Sequence, residues 1–267
     1  MTADVGAWDA PDPRLVAAYR AARELVHASI AAAAARSGRD PAAVTLVAVS
    51  KTVDAARVRA AVAAGCTTLG ENRVQEAEAK APEVGGAAWH LVGPLQANKA
   101  RRALGIFDVI ETVDALELAA RIDRIARELR GLPPAGDVDP ARRVRVLLQA
   151  NVDDDPAKAG FEPEVLARDL PEIERLGALE IAGLMTVGRV VESAEAARPT
   201  FAALRALSER LRDRPASRLG PALSMGMSGD YAVAVEEGAT IIRVGTAIFG
   251  ARPPADEGAR PRVDQGT

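Results

Sequence analysis

A chain of 267 residues with 48% hydrophobic content can bury a full core, as two small domains or as one α/β barrel of about 250 residues. Its net charge of −3, with both signs mixed and no basic run interleaved with aromatics, sets nucleic acid aside as a partner. One cysteine excludes an internal disulfide, and two distant histidines, His27 and His90, argue against a histidine-based metal site.

The N-terminal "MTADVGAWDAPDPR" is acidic and has no signal-peptide pattern, and no stretch approaches about eighteen consecutive apolar residues. A cytoplasmic protein without a membrane span is therefore expected. Residues 1–12 read as a flexible N-terminus. Pro13 to Arg36 reads as a helix ahead of the first strand, stopped at the following glycine. Strand patterns then fall at 44–50, 67–72, 88–94, 107–113, 144–152, 179–187, 221–227 and 240–248. Alanine-rich helical stretches such as "DAARVRAAVAAG" and "ESAEAARPTFAALRALSERLRD" separate them. Pro199 either kinks the second of these or parts it from its first turn. Cys66, in "AAGCTTLG" between a helix and a strand, is expected to be a small buried residue. Residues 131–140 read as a surface loop and 253–267 as a disordered tail. Eight strands alternating with helices, without a linker-like break, predict an α/β fold. The form expected is a single-domain (β/α)8 TIM barrel over 13–252 with an extra N-terminal helix. An open doubly wound sheet is the alternative, because periodicity cannot show closure.

The chain carries four lysines (Lys51, Lys80, Lys99, Lys158) against thirty arginines. Lysine can lose its proton and act as a nucleophile, which arginine cannot. Lys51 closes the apolar run "LVAVSKT", so it lands at the C-terminal end of the first strand, the working face of such a barrel. A solvated charge at a strand end is the plain alternative. Glu71, Asn72, His90, Glu111, Asn151, Thr186, Ser224 and Ser228 also stand at strand ends.

Late in the chain, "SMGMSGDY" (224–231) and "RVGTAIFG" (243–250) are two small-residue turns on the last two units. Small residues admit an anion close to the backbone, and the loops after strands 7 and 8 are the usual phosphate grip of this fold. Taken singly, each reads first as a tight turn. Facing a strand-end lysine, they point to a Schiff-base ligand, either a sugar phosphate or pyridoxal 5'-phosphate. Arg243 shares strand parity with Ile241 and Gly245, so it points into the barrel mouth if Gly245 does. There a cation beside a pyridine nitrogen would keep that nitrogen unprotonated. Pairing with Glu71 or Glu111 at the rim is the alternative.

The motifs "LVAVSKT", "GENRVQEAEAK", "WHLVGPLQANKAR", "IETVD", "GLMTV" and "LSMGMSGDYAVAVEEGATIIRVGTAIFGAR" resemble, in order, the pyridoxal-phosphate homeostasis proteins over about residues 44–252. The resemblance implies a barrel similar to the N-terminal domain of alanine racemase, with pyridoxal 5'-phosphate bound as an aldimine on Lys51. It further implies Asn72 beside the cofactor, Ser228, Gly245 and Thr246 on its phosphate, and Arg243 facing the pyridine nitrogen. Arg73 departs from the family, where an aromatic residue commonly follows "GEN". A racemase needs a second domain and a tyrosine opposite the lysine. Here about fifteen residues follow the barrel, and the only tyrosines are Tyr19 and Tyr231. The expectation is a non-catalytic, monomeric protein that buffers or delivers the cofactor, with transient pyridoxal-phosphate-dependent apoenzymes as partners. An amino-acid racemase and a Schiff-base lyase on a sugar phosphate are the alternatives.

Overall fold

Eight short parallel strands form the centre: β1 (Thr45–Val49), β2 (Thr68–Glu71), β3 (Ala88–Leu91), β4 (Val109–Val113), β5 (Val144–Gln149), β6 (Leu179–Met185), β7 (Ala222–Ser224) and β8 (Ile241–Val244). They pair in chain order, and β8 returns to β1 with Ala48 opposite Val244, so the sheet closes into a barrel. The structure, a computed structural model, describes residues 10–189 and 191–251. The expected flexible start and disordered tail lie outside these residues, except for 10–12.

Around the barrel run α1 (Pro13–Arg36), α2 (Ala55–Ala63), α3 (Val74–Lys80), α4 (Ala100–Ala103), α5 (Leu116–Arg130), α6 (Pro163–Ile173), α7 (Arg198–Arg212), α8 (Tyr231–Glu236) and α9 (Thr246–Phe249). Local chemistry marks their starts. The Asp12 carboxylate accepts the Arg14 N–H at 2.8 Å with Pro13 in the first helical position, and Asp54 accepts the Arg57 N–H at 2.9 Å. Pro199 is the second residue of α7, after a short turn at 195–197, so it parts the helix from that turn and does not kink it. The loop after α5 begins at Gly131 in the left-handed region (φ +57), and Arg127 holds it by donating to the Pro133 and Gly136 carbonyls.

The alternation of each strand makes two cores. Val47, Val49, Val92, Val109, Leu147 and Met185 meet inside the barrel, whereas Ala48, Leu69, Leu91 and Ile110 face the helices. Each large aliphatic side chain so buried contributes roughly 1.5–3 kcal/mol. Cys66 is buried, as expected. α1 packs against α2, α8 and α9, and its Tyr19 ring meets Phe249 edge-on at 5.4 Å. The strands are shorter than their apolar runs. The last run, 240–248, ends its ladder at Val244 because Gly245 breaks it and "TAIF" turns into α9.

Candidate functional site

Four adjacent strands, β7, β8, β1 and β2, place the sequence candidates along one arc of the barrel mouth. Ser228 follows β7, Gly245 and Thr246 follow β8, Lys51 follows β1 by two residues, and Asn72 follows β2 directly. The arc is tied together strand by strand. The Gly245 N–H donates to the Ser228 hydroxyl at 3.2 Å, and a Cβ at Gly245 would stand 3.4 Å from the Val49 carbonyl oxygen. On the other side the Ser50 N–H donates to the Gly70 carbonyl at 2.9 Å, joining the Lys51 turn to β2. Asn72 is fixed from behind. A Cβ at Gly93 would lie 2.3 Å from the Asn72 carbonyl oxygen, so only glycine lets the end of β3 approach so closely.

The Ser228 turn is held in shape as well. The Asp230 carboxylate accepts the Met227 N–H at 2.6 Å, and Gly226 turns at φ +92. The hydroxyls of Ser228 and Thr246, and the backbone N–H of Gly245 where it is released from Ser228, are small, neutral donors of a kind a phosphate can accept from.

Arg243 lies below this arc, inside the barrel and 5% exposed. Its Nη1 donates to the Ser224 hydroxyl at 2.5 Å and its Nη2 to the Thr186 carbonyl at 2.7 Å. The Ser224 hydroxyl in turn donates a hydrogen bond to Glu111 Oε2 at 2.5 Å, and the other oxygen of Glu111 meets His90 Nδ1 at 2.6 Å. Arg243 Nη1 stands 4.0 Å from Glu111. Burial pushes the Glu111 carboxyl up, but the His90 hydrogen bond and charge, the Arg243 charge and the Ser224 hydrogen bond outweigh it, and the group sits below the usual range. Burial draws the Arg243 guanidinium down, opposed by Glu111 and Asp230, yet a guanidinium stays charged. The two alternatives for Arg243 are thus both partly met: it points into the barrel, and it lies within ion-pair reach of Glu111.

The other strand-end residues do other work. Glu71 is not on the working face, and it does not meet Arg243. Gly70 faces the crowded barrel centre, where a Cβ would stand 2.8 Å from Val47, so Glu71 points outward to the helices. There Glu71 Oε1 accepts from Ser50 Oγ and Lys80 Nζ, both at 2.7 Å, while Oε2 has no partner in its buried setting. Burial pushes this carboxyl up against the opposing pull of Lys80 and Ser50. His90, Glu111 and Ser224 lie beneath the mouth in the Arg243 chain. Asn151 binds the Asp155 backbone in its own loop, and the Thr186 hydroxyl donates to the Ala150 carbonyl. The sequence reading missed Lys80, which is buried beside Lys51, although its own count of scarce lysines included it.

Next to Asn72 the mouth opens into a recess of about 710 Å³ lined by Arg73, Gln75, Glu76, Gln96 and Lys99. A separate cavity of about 330 Å³ at the opposite end of the barrel is lined by Thr45, His90, Val109 and Thr240. Among the described residues no group of three or more His, Cys, Asp and Glu could hold a metal ion, and no helix is long and apolar enough to cross a membrane.

Residues 26–253 match the family model described as alanine racemase, N-terminal domain. The chain is similar to the pyridoxal phosphate homeostasis protein of Pseudomonas aeruginosa, 41% identical over 230 residues, which are 85% of this chain and 93% of the relative. It is similar to the protein of the same name from Escherichia coli K12, 38% identical over 237 residues, 85% of this chain and 94% of the relative. Among solved structures it is similar to PipY of Synechococcus elongatus PCC7942 with PLP bound (TM-score 0.70, 42% identity, covering 83% of this chain and 100% of that one). Alanine racemase from E. faecalis shares the fold at 18% identity (TM-score 0.58, 88% of this chain and 59% of that one).

Proposed function

Because this chain belongs to the alanine racemase N-terminal domain family and, within it, to the pyridoxal phosphate homeostasis proteins, we propose that it binds pyridoxal 5'-phosphate at the arc and buffers or delivers it. The observation that carries this reading is the arc itself. A strand-end lysine, a cradle of neutral donors and a buried guanidinium occupy neighbouring strands of one barrel mouth. When bound, the cofactor would supply an aldehyde that a lysine amine can capture.

In this reading Lys51 is the capturing amine, and Ser228, Gly245 and Thr246 receive the phosphate. Asn72 lies beside the ring, and Arg243 faces the pyridine nitrogen and keeps it unprotonated. Holding a charged arginine there depends on Glu111, which supplies its counter-charge, and on Ser224, which accepts its hydrogen bond and links the two. The placement of the two tyrosines supports binding without turnover. The Tyr19 hydroxyl accepts from Arg57 Nε at 2.9 Å on the outer side of the barrel, and Tyr231 packs against the outer core at the start of α8. Neither stands over the mouth as a proton donor opposite Lys51. We further propose a cytoplasmic monomer whose recipients are apoenzymes that need the cofactor.

The test is near-visible absorbance of the purified protein, loaded with pyridoxal 5'-phosphate, before and after borohydride and beside Lys51→Ala. The expected result is a band that borohydride bleaches and that the variant lacks, with the added mass on the Lys51 peptide. A protein that stays colourless with added cofactor would overturn the reading. Exchange of an amino acid's α-proton at enzymatic rates would overturn the non-catalytic part alone.

A further inference from the structure

The residues on either side of Lys51 are both gripped from α3. The Ser50 carbonyl accepts the Lys80 ammonium at 2.8 Å, in addition to the Val53 N–H that closes the turn at 3.0 Å. The Ser50 hydroxyl donates to Glu71 Oε1, the same oxygen that receives Lys80. On the far side, the Thr52 N–H donates to Glu76 Oε2 at 3.2 Å, and that oxygen stands 3.9 Å from Lys80 Nζ. Lys80 thus ends α3 as a buried ammonium, its side chain 11% exposed, between the wholly buried Glu71 carboxylate and Glu76.

Thr52 shows why such a grip is needed. Its φ is +65, a left-handed conformation that a β-branched residue rarely adopts. A strained turn persists only where its surroundings over-determine it, and such turns gather at functional sites. Lysine has a long flexible side chain, so where its amine points depends first on the backbone that launches it. A buried ammonium is itself costly unless fully paired, and the sequence spends lysine on very few positions.

Resting on the cofactor reading above, we propose that Lys80, with Glu71 and Glu76, forms a clamp that positions Lys51 for capture of the aldehyde. The step it serves is a redox-neutral condensation. The Lys51 nitrogen adds to the aldehyde carbon, a C=N bond forms, and the aldehyde oxygen leaves with two protons as water. Lys80, Glu71 and Glu76 touch the backbone and side chains at 50–52, so they are positioning residues.

The experiment mixes cofactor-free protein with pyridoxal 5'-phosphate and follows the rate at which the near-visible band appears. It also measures the affinity for pyridoxine 5'-phosphate, which carries the phosphate and ring but no aldehyde. For Lys80→Met the expected result is at least a tenfold slower band with pyridoxine 5'-phosphate affinity within twofold of the parent. Lys80→Arg, which keeps a charged donor, should recover part of the rate. Glu76→Ala leaves the buried pair intact and should slow the band about threefold, which keeps the proposal testable should Lys80→Met not fold. A parental rate in both Lys80→Met and Glu76→Ala would overturn the clamp alone. Parallel loss of the rate and of pyridoxine 5'-phosphate affinity would also overturn it, by showing a general structural role. A parent protein that never develops the band would overturn the cofactor reading, and the clamp with it.

Discussion

Replacing Glu111 by leucine removes the carboxylate that joins His90 to Ser224 and neutralises Arg243. The side chain replaced is wholly buried, so no solvent can take over its role. Arg243 would remain inside the barrel with the Ser224 hydroxyl and the Thr186 carbonyl but without a counter-charge. Breaking a buried charged pair from one side typically costs about 3–5 kcal/mol. Unfolding entropy of about 2.1 cal/mol/K per residue gives roughly 0.56 kcal/mol/K for a chain of 267 residues. The expected fall in Tm is therefore about 5–9 °C, measured by thermal unfolding of the cofactor-free protein. The sharper measurement is a double-mutant cycle with Arg243→Leu. An apolar pair in place of a buried ionic one is often close to neutral, so the double variant should be more stable than the sum of the singles by at least about 1.5 kcal/mol. Additivity to within about 0.5 kcal/mol would show that the two residues are not coupled and would refute the argument.

The same group sets an acid limb. Because the folded-state pKa of Glu111 is depressed, its contribution is complete above the ordinary glutamate value and is lost as pH falls through the lower folded one. Below roughly pH 4.5, Tm should fall less steeply with acid in Glu111→Gln than in the parent, and equal slopes would count against the assignment. Gly93→Ala should destabilise by about 1–3 kcal/mol, read from the denaturation midpoint, because its new Cβ would press on the Asn72 backbone. It should also weaken uptake of pyridoxal 5'-phosphate, and an unmoved midpoint would contradict the close approach of β3. Cys66 should react slowly with a thiol reagent, at a rate that follows opening of the fold. Burial raises its pKa against the opposing charge of Arg23, and fast stoichiometric labelling would contradict this.

Part of the arc was legible in the sequence because strand parity is a local property, whereas the meeting of β8 with β1 had to come from closure of the sheet. "TIIRVGT" puts Arg243 and Gly245 on the same side as Ile241, and the barrel keeps that parity. Glu71 went to the wrong face because a strand end with alternating small and polar residues does not say which set points inward. Gly70 held the answer, since only a residue without a side chain fits against Val47 and Val49 at the crowded centre. The strand ends were read too long for a related reason. Apolar residues continue past the ladder into turns and short helices, as in "TAIF" after β8. Lys80 was counted but given no role, yet its scarcity argued for it as strongly as for Lys51. What the sequence could not supply was its partner: the Ser50 carbonyl, thirty positions earlier in the chain, becomes its neighbour only when the first two strand-helix units pack together.

Finally, α1 has a mechanical consequence for the site. Arg57 donates to the Tyr19 hydroxyl on one side and to the Phe249 carbonyl on the other, while the Tyr19 ring rests on Phe249. Phe249 ends the short helix that starts at Thr246, so the first helix and the Gly245 turn share a single latch. Peeling α1 from the barrel must release that latch before any strand separates. The N-terminal helix and the Gly245 turn are therefore expected to exchange their amide hydrogens as one cooperative unit, distinct from the β4–β6 side of the molecule.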